Sequence, residues 1–305
     1  MDALSTVLGL LRLKGCVYFV HDFCTPWGMQ MDDGPFAPFH AVVRGQCRMS
    51  VDGQDYRLSA GDVVMFPKGR GHALDDGEGR ATVPGMNVVT AHADGRPLFQ
   101  TGEDGVRLLC GHFELDRDIR HPVLDEIPAV IHAKGLAAHE PGWLDTVMGV
   151  LVRETDSARP GATVIVERLA EILFVQTLRA WLDDQQPPVG FLAAARDPRL
   201  ARALQVIHQQ IDQDLSLQDV ARAAGMSRST LAHRFHATVG TTPMRYQTMW
   251  RMLKAREHLR HAGATAAEAA ARVGYASEAA FSRAFKKHFQ ESPGAFRRSQ
   301  ATDSA

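Results

Sequence analysis

The sequence predicts an α+β chain: a β-rich N-terminal half, a helical middle segment and an all-α C-terminal domain. Three observations carry this. Residues 199–298 hold one helical unit twice, residues 15–120 alternate short β-prone runs with turn signals, and charge divides the chain into the same two halves.

The first copy of the unit reads LQDVARAAGMSRSTLAHRFHATVGTTP, Leu217 to Pro243, and the second TAAEAAARVGYASEAAFSRAFKKHFQESP, Thr265 to Pro293. Gly225 matches Gly274 at an offset of 49 residues, and Pro243 matches Pro293 at 50, so the second copy holds one extra residue at its turn. In the first copy Val220, Ala221 and Ala224 give an apolar face at helical spacing. Gly225 is placed to end that helix in the left-handed conformation, and Ser227 to cap the next one. Leu231 and Phe235 turn the second helix inward, which leaves Arg228, Ser229, Ala232, His233 and His236 outward. The second copy repeats this with Ala269, Ala270 and Val273, then Gly274, then Ser277, then an inner stripe of Phe281, Phe285 and Phe289. An ordinary amphipathic helix pair would explain one copy. Two copies with matched punctuation favour a pair of helix-turn-helix units, each offering one helix to one major groove of DNA.

From Arg196 onward there are 17 Lys and Arg against 9 Asp and Glu, a net of +8, while residues 1–195 hold 17 against 26, a net of −9. The near-neutral total hides this split. A basic segment carrying helix-turn-helix signals is the electrostatic footprint of a DNA binder.

The segment 199–298 resembles the DNA-binding domain of the AraC/XylS family of bacterial transcription regulators. AAARVGYASEAAFSRAFKKHFQESPGAFRR carries the resemblance, with Gly274, Tyr275, Phe281, Arg283, Phe285, Phe289, Pro293 and Phe296 where the family has them. The resemblance implies seven helices, a long linking helix from roughly Met244 to His261, and a transcription activator whose partners are double-stranded DNA and RNA polymerase. It also implies that Ser229, Ala232 and His233 face bases from the first recognition helix and Glu278, Ala279, Ser282 and Arg283 from the second. Lys286 and Lys287 are expected on phosphates. The chemistry agrees: Arg reads guanine bidentately, Glu accepts from cytosine, Ser serves either, and lysines position without reading. Two such helices sit ~34 Å apart on the duplex, one helical turn. Ser229 and Ala232 are short, so base readout by the first helix is expected to be weak.

In the N-terminal half, CVYFV, FHAVVRG and QCRMSVDGQDYRLSAGDVVMFP read as strands, with a hairpin at Asp52-Gly53. GDVVMFPKGRGHALDD fits the cupin second motif G-x5-P-x-G-x2-H through Gly61, Pro67, Gly69 and His72. This resemblance to cupins covers roughly residues 15–120 and implies a small β-barrel. The first cupin motif is degenerate. His40 is followed by Gly45, but the second His and the Glu of metal-dependent cupin enzymes are missing.

Four cysteines and no signal-peptide pattern argue against a disulfide framework, and no run of about 18 apolar residues suggests a membrane span. A cytoplasmic chain is expected. The pattern is similar to AraC-type regulators carrying this cupin, including the reactive-chlorine-responsive subgroup, and implies Cys16 and Cys110 as sensing residues. Independently, Cys16, His40, His72 and Cys110 could converge inside the barrel as two thiolates and two imidazoles, a set suited to tetrahedral zinc, which would hold the thiolates ready for oxidants. Small buried thiols, hydrogen-bonded histidines and a plain small-molecule pocket in the barrel mouth are the alternatives. Cys24 and Cys47 have weaker claims. His112, on the side of Cys110 by alternation, is a supporting candidate.

Between the halves, PGWLDTVMGVLVRETDS and GATVIVERLAEILFVQTLRAWLDDQ show helical periodicity. The second is apolar over more than one face, so it packs on its own barrel or on a second copy. The expected boundaries are a cupin-like sensor at 1–140, a helical dimerisation segment at 141–186, a linker at 187–198 stiffened by paired prolines, and the DNA-binding domain at 199–298. The whole reads as a non-enzymatic, sequence-specific transcription regulator, homodimeric, answering to a small molecule, metal or oxidant. The competing reading is a metal-dependent cupin enzyme fused to a DNA-binding tail.

Overall fold

The computed structural model describes residues 2–78, 81–116, 121–136, 142–157, 159–185, 189–261 and 264–302. Contacts divide the chain into two units: Arg12–Asp116 with Ile127–Gln186, and Met1–Leu11 with Arg117–Glu126 and Pro187–Ala305. No helix among the described residues is long and apolar enough to cross a membrane.

The first unit contains strands β1 (Lys14–Thr25), β2 (Gly28–Met31), β3 (Ala37–Arg44), β4 (Gln46–Val51), β5 (Gln54–Ser59), β6 (Val63–Met65), β7 (His72–Asp75), β8 (Val83–Pro84), β9 (Glu103–Glu114) and β10 (Ile131–Ala133). They form two five-stranded sheets, ordered β1-β9-β3-β6-β10 and β5-β4-β7-β2-β8. The Asp52-Gly53 turn joins β4 to β5 with φ of 51° and 74°, as a two-residue hairpin of the type that matches strand twist requires. Residues of both sheets meet in one core, where Phe19, Phe23, Trp27, Met49, Phe66 and Leu74 are at most 1% exposed.

The cupin-motif glycine Gly69 has φ +71°, and a Cβ there would stand 1.9 Å from the Gly34 carbonyl oxygen. Only glycine permits this close crossing of two loops. On the other face of the first sheet, Gly15 leaves room for a helix: its Cβ would meet that of Ala170 at 2.3 Å.

The helices of this unit are Gly85–Ala93, Trp143–Ser157 and Ala162–Gln185. The last buries Ala170, Leu173, Phe174 and Leu178, with Phe174 edge-on to Phe113 of β9 at 5.2 Å. It therefore packs on its own barrel, yet Val164, Ile165 and Ile172 remain 57%, 42% and 46% exposed.

In the second unit, helices run Phe191–Arg196, Pro198–Gln209, Leu217–Ala223, Arg228–Val239, Pro243–Leu259, Ala266–Arg272, Glu278–Phe289 and Pro293–Thr302. From Pro198 onward these are the seven expected helices. Two assignments change. The expected linker is largely a helix: Phe191, Leu192 and Ala194 are at most 1% exposed, because an apolar FLAA run stabilises more as core than as spacer; Pro187 and Pro188 lie outside the described residues. The expected sensor span 1–140 also divides, since residues 2–11 and 121–126 cluster with the DNA-binding half, where Val7, Leu10, Leu11 and Val123 are buried.

Candidate functional site

Each helix-turn-helix is built as its residues dictate. Gly225 and Gly274 adopt φ of +64° and +74° at their turns. Ser227 accepts from the Thr230 N–H and Ser277 from the Ala280 N–H, capping the two recognition helices. Leu231, Phe235, Phe281 and Phe285 are fully buried. The opposite faces expose Ser229, His233, Glu278, Ala279, Arg283, Lys286 and Lys287, with Ala232 and Ser282 half-buried. The helices ahead of them start with capping boxes, Ser216 with Asp219 and Thr265 with Glu268. Both boxes are legible in the sequence as S/T-x-x-D/E, a signal that the stripe-and-glycine reading passes over. The linking helix spans Pro243–Leu259 and starts at the Thr242 cap, close to the expected bounds.

In the barrel, three of the four predicted donors meet. His40 Nδ1 lies 3.0 Å from Cys110 Sγ, and His40 Nε2 lies 2.8 Å from His72 Nε2. His72 Nδ1 lies 2.9 Å from the Arg70 carbonyl oxygen. That carbonyl can only accept, so His72 carries its proton on Nδ1 and accepts on Nε2. His40 then donates from Nε2 and accepts on Nδ1, and the Cys110 thiol donates to it. The chain has one direction, Cys110 to His40 to His72 to the Arg70 carbonyl. Every member is neutral: burial holds His40 well below its usual 6.5, brings His72 down to about 4, and pushes the Cys110 thiol well above 9.0. His72 also lines an open cleft of about 390 Å³, together with Asp33, Asp52 and Arg70, and Arg70 is paired there with Asp52 and Asp33.

This arrangement does not fit a tetrahedral metal. His40 directs its two nitrogens to opposite sides, so Cys110 and His72 stand on opposite edges of its ring and cannot share one ion with it. Among the described residues no three His, Cys, Asp or Glu side chains converge on a metal-sized point. Cys16 is elsewhere: it pairs with His112 across β1 and β9, two residues along the strand from Cys110. Burial and the Glu114 carboxylate raise its thiol pKa. The expectation of ready thiolates is corrected by the same desolvation, which favours the neutral thiol. Cys47 is pushed up to about 12. The His112 ring lies tilted against Phe36 at 4.5 Å and Tyr18 at 5.1 Å, with its Nε2 3.7 Å from Glu114. It does not join the relay.

A cupin family model matches residues 2–183, and a helix-turn-helix domain model matches residues 220–299. The chain is 35% identical to a putative AraC-like transcription regulator of Streptomyces lividans, over 98% of each chain. It is 32% identical to a regulator of the same description from Streptomyces antibioticus, over 98% of this chain and 99% of that one. It is 25% identical, over 97% of both, to the RCS-specific HTH-type transcriptional activator RclR of Escherichia coli (strain K12). The chain belongs to the AraC-like transcription regulators, with a cupin sensing domain and a helix-turn-helix DNA-binding domain.

Proposed function

We propose that the barrel reads a small oxidant at the Cys110–His40–His72 relay, and that the chain acts as a cytoplasmic homodimer that engages RNA polymerase at its DNA site. The observation that carries this reading is the buried thiol joined through two neutral imidazoles to the edge of an open cleft. Hypochlorous acid or hydrogen peroxide transfers one oxygen to Sγ, giving a sulfenic acid while chloride or water leaves; the S–H that His40 accepts from is replaced by a longer S–O–H, and the added oxygen inserts bulk into a close-packed core. That favours a second arrangement of the barrel, a population shift. The RCS-specific relative supports an oxidant as the signal, and the exposed Val164, Ile165 and Ile172 support a partner copy on the long helix.

The test is duplex binding by the full chain before and after hypochlorous acid or hydrogen peroxide. The native chain should change affinity roughly tenfold, about 1.4 kcal/mol, and Cys110→Ser should not respond. An equal response from both chains rejects the relay as sensor. Sedimentation at micromolar concentration tests the dimer, which a monomer at all loadings would rule out.

A further inference from the structure

Residues 121–126 lie between β9 and β10 in sequence, yet they pack as part of the DNA-binding unit. His121 is 1% exposed. The Val123 N–H donates to His121 Nδ1 at 3.1 Å, so the imidazole proton sits on Nε2 and points at the Tyr246 hydroxyl, 3.1 Å away. That hydroxyl donates in turn to His208 Nε2 at 2.8 Å. Tyr246 lies on the linking helix and His208 on Pro198–Gln209. Five residues on, the Glu126 carboxylate accepts from the N–H groups of Phe191 and Leu192 at 2.5 and 3.0 Å. It caps a helix whose own N-cap, Gly190, has no side chain to offer. A Cβ on Gly190 would stand 2.5 Å from that carboxylate, so the glycine leaves the space the cap occupies.

In sequence the segment is flanked by two strands of one sheet: β9, which carries Cys110, and β10, paired with β6. We infer that residues 121–126 are a coupling strap, through which a change in β9 reaches the linking helix by way of His121, Tyr246 and His208, and through which DNA binding acts back on β9. Reciprocity is a thermodynamic requirement of any such coupling. The inference goes beyond the sensing reading and stands whether or not Cys110 is itself the sensor, because Cys110 serves only as a reporter.

The experiment uses the full chain, N-ethylmaleimide and a duplex selected from a random library for tight binding. Peptide mass spectrometry reads the alkylation rate of Cys110. Saturating duplex should change that rate at least about fivefold in the native chain. In His121→Leu the change should fall below about twofold while duplex affinity stays within about threefold, and His121→Gln, whose amide still donates to Tyr246, should restore it. Tyr246→Phe decides by the same readouts should His121→Leu not fold. The strap is overturned if duplex leaves the native rate unchanged, if the variants keep the full effect, or if a folded variant no longer binds duplex. The last result would make the segment part of the DNA-binding fold itself.

Discussion

His40 faces Cys110 across the β3–β9 ladder, Nδ1 to Sγ at 3.0 Å, with the imidazole accepting and the thiol donating. The imidazole accepts there because its other nitrogen is committed to His72. Cys110→Ala leaves His40 Nδ1 buried without a donor and should lower unfolding stability by about 1–3 kcal/mol. Cys110→Ser keeps a donor and should cost less. Urea titrations of the three chains check the order; equal losses would mean that the thiol merely fills space.

Thiol reactivity should follow burial. Cys47, held near 12, presents roughly a thousandfold less thiolate at pH 8 than a thiol at its ordinary 9.0. Cys110 belongs with it and the half-exposed Cys16 does not. Iodoacetamide labelling of the native chain should therefore modify Cys16 well before Cys47 or Cys110. Early labelling of Cys110 would show a stabilised thiolate and contradict the direction assigned to the relay.

Acid should destabilise both units. His72 titrates at about 4 in the native chain, and His121 and His208 at about 3, all against an ordinary 6.5, with burial as the first cause. Between pH 6.5 and those values the unfolded chain binds more protons, so stability is complete above 6.5 and falls as pH falls through this window. Going from pH 8 to 5 should cost at least about 2 kcal/mol, seen as a lower urea midpoint. A midpoint unchanged between these pH values would be incompatible with neutral buried imidazoles.

The two basic residues of the second recognition helix should behave differently on DNA. Arg283→Ala should cost roughly 1–3 kcal/mol and relax sequence preference. Lys286→Ala should weaken all sequences alike and reduce the salt slope by about one. Binding titrations against a matched and a scrambled duplex at several salt concentrations separate the two, and identical profiles would refute the assigned roles.

Gly69→Ala should cost more than about 2 kcal/mol, because φ +71° and the Gly34 carbonyl at 1.9 Å both oppose a Cβ. Gly53→Ala shares a positive φ of +74° but meets nothing within 4 Å, so it should cost only about 1 kcal/mol. Thermal melts of the two variants compare crowding with strain alone.

The DNA-binding domain was legible because its determinants are local. Caps, left-handed glycines and apolar stripes lie within a few residues of each other, and the duplication displays them twice. The period-2 runs and the cupin glycines gave the barrel in the same way. Composition also brought His40, His72 and Cys110 together, but not their order: that depends on which nitrogen meets which partner, and a backbone carbonyl at Arg70 decides it. Cys16 was misplaced because strand register, not residue type, fixes who shares a face at what height.

The sequence by itself determined two helix-turn-helix units, a cupin barrel and the faces they expose, since each rests on contacts between residues near in the chain. Only the tertiary structure decided that the thiol and imidazoles form a line instead of a cage, and that His121 belongs with Tyr246, 125 residues away. Neither partner carries a local mark of that pairing; it arises from burial of polar groups that must find one another once water is excluded.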